Sequence, residues 1–288
     1  MKLGLSLPMF TADVGRPLAA AARAAAAGYD GVFAPDHLFP PGAPGRPALE
    51  PFAILAAVAA RHPDLHVGTL VSRVSLRPAG ILAKQAAALD QMSGGRGVLG
   101  LGAGDSVSKA EHEAFGIPFA SVSDRVALLA ETVSAMRRLF EGDPWDGGSH
   151  VPPIDGPLLP PGRPELWVGG RSRDVIAVAA RSADAWNGWA MDVEGFEAAA
   201  AELHGLADGR SVFPTWGGIV LVGSDATELE GLREARRAKG LTMDVWHGDA
   251  MAFRGFAERL EGAGCRWIVV LPVGGEDRLE VVAHAIRA

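Results

Sequence analysis

The chain has little cysteine: Cys265 is the one among 288 residues. That excludes an intramolecular disulfide framework and any multi-cysteine zinc site. Beside the apolar run Trp267-Ile268-Val269-Val270, it reads as a buried structural thiol. Positive charge is not in excess either, with 27 Lys and Arg against 34 Asp and Glu and a net charge of −7. No basic block stands out, so neither nucleic acid nor an anionic membrane is expected as a partner. The N-terminal "MKLGLSLPMF" carries glycine and proline within a short apolar run, and is read as neither a signal peptide nor a membrane span. A cytoplasmic location is the expectation. No metal site is expected: "HEAFG" at His112–Gly116 lacks the second histidine of a zinc-protease motif, and the other histidines are scattered. A Gly-x-Ser-x-Gly nucleophile elbow is also missing.

What the chain does have is alternation. It is 48% hydrophobic with 37 glycines and 20 prolines, and two textures take turns along it. Short apolar runs read as strands at Leu3–Pro8, Gly31–Pro35, His66–Ser72, Val98–Gly102, Glu165–Val168, Ala183–Trp189, Trp216–Val222 and Trp267–Pro272. Alanine-rich stretches of helical spacing lie among them, at Pro17–Ala27, Pro51–Arg61, Pro78–Met92, Asp124–Phe140, Arg173–Arg181, Glu194–Leu206, Thr227–Lys239 and Phe253–Ala263. Strands alternating with helices imply parallel strands joined by crossover helices. Runs such as "WIVVLPV" are apolar on both faces, as strands covered on both sides must be. Eight units close naturally into a (β/α)8 barrel, with a doubly wound open sheet as the competing arrangement. No domain boundary is visible, so residues 1–288 are taken as one domain. Two stretches break the rhythm: Asp105–Ser123, and Gly142–Pro164 with seven prolines. The second cannot be regular helix or sheet, and reads as an ordered wrapping loop or lid, or as a flexible linker.

Active sites of such barrels gather at the carboxyl ends of the strands. There the sequence delivers Pro8-Met9-Phe10, Asp36-His37, Thr69-Leu70-Val71-Ser72, Gly102-Ala103-Gly104-Asp105, Gly169-Gly170-Arg171-Ser172 and Trp186-Asn187-Gly188-Trp189. The mixture of titratable groups, a glycine-rich turn and aromatic surface suits a large planar anion. The run Gly100-Leu101-Gly102-Ala103-Gly104 has the wrong spacing for a dinucleotide fingerprint and is followed by a polar loop rather than a helix. Two readings remain for it: bare backbone against a flat ring, or tight packing inside the barrel. "VGGRSRD" ends a strand and opens a helix, placing free N–H groups, the positive helix end and two guanidiniums where a phosphate could sit. Alternatively, Ser172 or Asp174 is simply the helix cap and Arg171 is solvated. His37 can shuttle a proton near neutral pH, or it can serve as a structural hydrogen-bond partner of a neighbouring loop.

The stretches "GYDGVFAPDH", "VGTLVSRVSLRPAGILAKQAAALDQMSGGRGVLGLGAGD", "EHEAFGIPF", "DRVALLAETVSAMRRLF" and "PELWVGGRSRDVIAVAARSADAWN" together resemble the luciferase-like monooxygenase superfamily, in its order, from about Leu3 to Trp189. The resemblance implies a TIM barrel of the bacterial luciferase-like type, with a flavin or deazaflavin at the strand ends. "APDH" and the aspartate after "GLGAG" resemble the branch that uses the deazaflavin coenzyme F420. In that branch the histidine matching His37 lies near the reactive edge of the ring. The acid matching Asp105 is a glutamate in some dehydrogenases, one methylene longer than the aspartate here. The segment matching Thr69–Ser72 bulges beneath the ring, commonly through a non-proline cis peptide, and the Gly-Gly-Arg-Ser turn holds the phosphate. The resemblance therefore assigns His37 and Asp105 to catalysis. It assigns cofactor binding to Asp36, Thr69, Leu70, Val71, Ser72, Gly102, Ala103, Gly104, Gly169, Gly170, Arg171, Ser172, Trp186 and Asn187. The expected function is an F420-dependent oxidoreductase acting on a small organic substrate, with a homodimer expected. The alternatives are an FMN-dependent monooxygenase and a flavin-binding protein without catalysis. Beyond Trp189 the resemblance fades, and no segment signals the substrate. The long extra segment of the luciferase subunits is also missing.

Overall fold

A computed structural model describes residues 1–241, 243 and 245–287 of the chain. Eight parallel strands close into a barrel: β1 (Lys2–Ser6), β2 (Gly31–Ala34), β3 (His66–Arg73), β4 (Gly97–Gly102), β5 (Glu165–Gly169), β6 (Ala185–Trp189), β7 (Phe213–Gly223) and β9 (Trp267–Pro272). Neighbours follow chain order from β1 to β7; β9 pairs with both β7 and β1 and closes the ring. The fold is a TIM barrel.

Alternation along each strand divides the side chains between two cores. Outward residues such as Leu3, Leu5, Val67, Leu99 and Val168 pack against the helices in the larger core. Inward residues Phe33, Val98, Trp167, Ala185, Trp267 and Val269 form a second core inside the barrel. There Phe33 stacks on Trp167 with ring centroids 5.2 Å apart, and Trp267 meets both edge-on at 5.4 and 5.8 Å. Small inward residues make room for these rings: a Cβ on Gly4 would lie 2.7 Å from the Phe33 ring, and one on Gly31 would lie 3.1 Å from Trp267.

The helices are α1 (Gly15–Ala26), α2 (Pro51–Arg61), α3 (Ala79–Met92), α4 (Lys109–Ala114), α5 (Val122–Glu141), α6 (Arg173–Ser182), α7 (Val193–Leu206), α8 (Ala226–Ala238), α9 (Ala250–Gly262) and α10 (Arg278–Arg287). Their ends follow local chemistry. Ser121 caps α5 by accepting from the Asp124 N–H, and Gly142, at φ 92°, ends it in the left-handed region. Proline opens α2 behind the cap Glu50.

The seventh unit departs from the expected eight-by-eight pairing. The strand expected at Trp216–Val222 runs from Phe213 to Gly223, and its far end pairs with an additional short strand, β8 (Trp246–Asp249). Thus α8 and β8 form an extra pair. The helix of Thr227–Lys239 belongs to this insertion and buries none of its residues. The helix that follows the last barrel strand is α10, which the alternation count leaves out. The 142–164 stretch is an ordered strap along α3 and α5. Glu131 accepts from the N–H groups of Ser149, His150 and Val151 at 3.0, 2.7 and 2.7 Å, while the Arg163 N–H donates to Asp90 at 2.9 Å. Cys265 is buried, and its thiol donates to the Trp267 carbonyl at 3.0 Å. Burial pushes that thiol up to about 12.

Candidate active site at the mouth of the barrel

At the carboxyl ends of the strands, β3 bulges. Its register with β4 shifts between Thr69 and Ser72, and the Leu70–Val71 peptide is cis, as the resemblance implies. Thr69 Oγ1 donates to the Gly100 carbonyl at 2.9 Å. The bulge explains the bare backbone around it. A Cβ on Gly100 would sit 2.3 Å from the Thr69 carbonyl oxygen. On Gly102 and Gly169 it would sit 2.6 and 2.8 Å from the Val71 methyl groups. Gly102 and Gly169 are therefore glycine because Val71 occupies the space their side chains would need, and Gly100 because the bulged Thr69 carbonyl does. Of the two readings of this run, internal packing is what the geometry displays. Gly104, at φ 74°, turns the chain away from the strand, and Ala103 beside it is buried.

Two buried carboxylates lie at this end. Asp36 is gripped by Arg77, whose Nη2 donates at 3.2 Å and whose Nη1 donates to the second oxygen. Arg77 Nη2 also reaches Glu50 at 3.0 Å, which ties the β2 loop to the start of α2. The second carboxylate is Glu111 on α4, fully buried. Its Oε1 lies 2.8 Å from His37 Nδ1. Its Oε2 accepts from the Leu38 N–H at 2.6 Å and from Arg73 Nη2 at 2.7 Å. Burial works to raise the Glu111 carboxyl, but His37, the Leu38 N–H and the Arg73 charge outweigh it and hold it below the ordinary carboxylate range. Glu111 is thus an ionised carboxylate that takes two donors at Oε2, the Leu38 N–H and Arg73, and faces His37 Nδ1 at Oε1. His37 is about one quarter exposed and packs edge-on to Phe10, centroids 5.7 Å apart.

Some polar groups here lack partners. Ser72 Oγ and the Nε and Nη1 of Arg73 are buried with no hydrogen bond among the described residues. Ser72 is fully buried and Arg73 nearly so, and an orphaned buried donor is costly unless a ligand or water completes it.

At the end of β5, Gly170 adopts φ 150°. Ser172 caps α6 by accepting from the Val175 N–H, at 3.4 Å. Arg171 is exposed and makes no ion pair among the described residues, while Arg173 pairs with Glu202 at 2.9 Å. So Ser172 is the cap, and Arg171 stands free beside the helix start.

The other expected residues fall in different places. Asp105 is exposed and caps the short turn after β4, accepting from the Ser108 N–H at 3.1 Å and from its hydroxyl at 3.0 Å. The carboxylate that meets His37 is Glu111, not Asp105. Trp186 is fully buried and stacked on Phe196 of α7, centroids 5.6 Å apart, and its Nε1 donates to the Gly170 carbonyl at 2.7 Å. It therefore supports the turn from behind instead of presenting a face at the mouth. Asn187 is buried and donates to Thr215 Oγ1 at 2.9 Å. Glu111, Arg73, Arg77 and Glu50 escape the reading of the sequence. One signal was available: an arginine ending the apolar strand "HVGTLVSR" must find a carboxylate if it is buried, and "EHEAFG" supplies one.

A family model described as luciferase-like monooxygenase matches residues 1–262. An uncharacterized protein of Mycobacterium tuberculosis is 31% identical over 189 residues, 59% of this chain and 63% of that one. The chain's match thus spans about three fifths of that relative's length. The F420-dependent glucose-6-phosphate dehydrogenase of Intrasporangium calvum is 36% identical over 132 residues, 42% of this chain and 39% of that enzyme. Among solved structures, an F420-dependent secondary alcohol dehydrogenase in complex with an F420-acetone adduct superposes with a TM-score of 0.83 at 19% identity, covering 100% of this chain and 99% of that one. At that identity the likeness shows the fold.

Proposed function

The chain belongs to the luciferase-like monooxygenase family, and from that premise we propose that it is an oxidoreductase that uses coenzyme F420 and exchanges a hydride with a small organic substrate. The observation that carries this reading is His37, held by a buried carboxylate on the loop after β2, the strand that pairs with the bulged β3. The stretch of identity with an F420-dependent dehydrogenase supports it.

The residues at the mouth fit such a group. Ser72 Oγ and Arg73 Nε and Nη1 are buried donors without acceptors among the described residues, and Gly102 and Gly169 make room for the bulge at Val71. Val71 and its neighbours Thr69 and Leu70 would support the ring from below. The start of α6 with Gly170, Arg171 and Ser172 would hold a phosphate, through the backbone N–H groups that open the helix and the exposed Arg171 guanidinium, while the Gly170 N–H stays engaged by the Asn187 carbonyl. When bound, the deazaflavin supplies a carbon that takes or gives a hydride. The chain's part is to orient the reactants, exclude water and move a proton at His37. Asp36, engaged by Arg77, fixes the backbone that carries His37.

Parallel titrations of the purified protein with F420 and FMN test the reading. Tighter binding of F420, with slow reoxidation of its reduced form in air, is the expected result. Tighter binding of FMN with rapid oxygen consumption would overturn it in favour of a flavin monooxygenase. Binding of either without turnover across a panel of alcohols, aldehydes and ketones would leave a carrier protein.

A further inference from the structure

Glu111 does more than neutralise an arginine. Its two oxygens are used unequally: among the described residues, Oε2 takes two donors, the Leu38 N–H at 2.6 Å and Arg73 Nη2 at 2.7 Å, while Oε1 meets only His37 Nδ1, at 2.8 Å. An ionised carboxylate can only accept. The nitrogen facing it must therefore bear a hydrogen. In the neutral imidazole the other nitrogen is then left as the acceptor, and His37 Nε2 has no partner among the described residues.

We propose that Glu111 is a positioning residue that fixes His37 as its Nδ1–H tautomer and so turns the Nε2 lone pair toward the mouth. In the catalytic cycle this role rests on the proposed oxidoreductase reading; in the free protein the tautomer does not depend on it. The arrangement joins three segments at one buried point: His37 and Leu38 follow β2, Arg73 ends β3, and Glu111 lies on α4 after β4. Arg73 reinforces the joint by also donating to the Asp36 carbonyl at 3.2 Å.

The unequal use of the oxygens gives a sharp test. In Glu111→Gln the amide has one oxygen, and the position shared by Leu38 and Arg73 accepts two donors, so the oxygen must settle there. The amide nitrogen then faces His37 Nδ1 as a donor, which forces the opposite tautomer with the hydrogen on Nε2. Nitrogen-15 spectra of labelled histidines in the ligand-free protein read this directly, at a pH where the rings are neutral. The His37 signals are identified by their loss in His37→Asn. The wild-type protein should carry its hydrogen on Nδ1, and Glu111→Gln should move it to Nε2. A wild-type ring protonated on Nε2, or an unchanged tautomer in the folded variant, overturns the proposal. Should the variant fail to fold, the wild-type spectrum alone still decides. With F420 bound, Glu111→Gln should lower turnover about 100-fold, in the range of a lost acid–base group, with F420 affinity within about threefold of the parent. If neither protein binds F420, the function proposed above fails while the tautomer result stands on its own.

Discussion

The two ends of the barrel solve opposite problems with the same strands. At the amino end, large rings fill the interior: Trp167, Trp267 and Phe33 interlock, with Phe213 edge-on to Trp167 at 6.3 Å. Where charge appears there it lies at the rim, as with Lys2 at 5.0 Å over the Trp267 ring. At the carboxyl end, inward positions are glycine, a strand bulges into the space, and buried charge replaces buried apolar bulk, with Asp36, Arg73 and Glu111 all nearly inaccessible. A buried ion network contributes little net stability, because desolvation offsets most of the attraction. The aromatic end therefore carries stability and the glycine end carries geometry, which is the division expected of this barrel.

Substitutions that separate the two contributions break or sharpen this contrast. Trp167→Ala should have the largest effect. Emptying the inner core costs about 3–5 kcal/mol and should lower the melting temperature by roughly 6–20 °C, while the folded fraction keeps its cofactor affinity. Comparable affinity loss would show that the two ends are not separable. Next, Arg73→Met should destabilise by about 3–5 kcal/mol, since it leaves Glu111 buried with fewer partners, and should change the response to acid. The Glu111 carboxyl is held below the ordinary range in the folded protein. It thus contributes stability above the usual carboxylate range, lost as pH falls through its folded-state value. Arg73→Met weakens that depression, so acid unfolding monitored by circular dichroism should begin at higher pH. An unchanged acid midpoint would contradict it.

Arg171→Ala should act on the ligand alone. A charge-assisted contact is worth about 1.5–3 kcal/mol, or roughly a 10- to 150-fold loss in cofactor affinity. An exposed side chain without ion pairs should leave stability within about 0.5 kcal/mol. Unaltered affinity by titration calorimetry would remove Arg171 from the phosphate site. The smallest effect belongs to Asp105→Ala, which costs about 1 kcal/mol of capping and should leave turnover within about threefold. A hundredfold fall in turnover would return Asp105 to the proton-transfer role that the resemblance gives it.

The same contrast governs what could be read from the chain. The strands of the barrel were legible because burial on both faces writes long apolar runs, and the glycine-rich ends of β4 and β5 were visible as composition. His37 and the β3 bulge were legible through resemblance. What stayed hidden depends on contacts distant in sequence. Glu111 reaches His37 across 74 residues and Arg73 across 38, and nothing local distinguishes it from a solvated glutamate. β8 has four residues, of which one is buried, too few to register as an apolar run. The position of Trp186 at a strand end points to the mouth, but alternation sends its ring outward to Phe196. Its neighbour Asn187 takes the inward place.

Cys265 has a practical consequence. The thiolate, not the thiol, is alkylated, and a buried group pushed up to about 12 supplies almost none at neutral pH. The folded protein should be silent to maleimides and iodoacetamide. It is thereby a ready-made background for site-directed labelling: a cysteine introduced on the exposed turn at Ser106 would be the single reactive handle. A fluorophore attached there would report arrivals at the mouth without removal of the native residue.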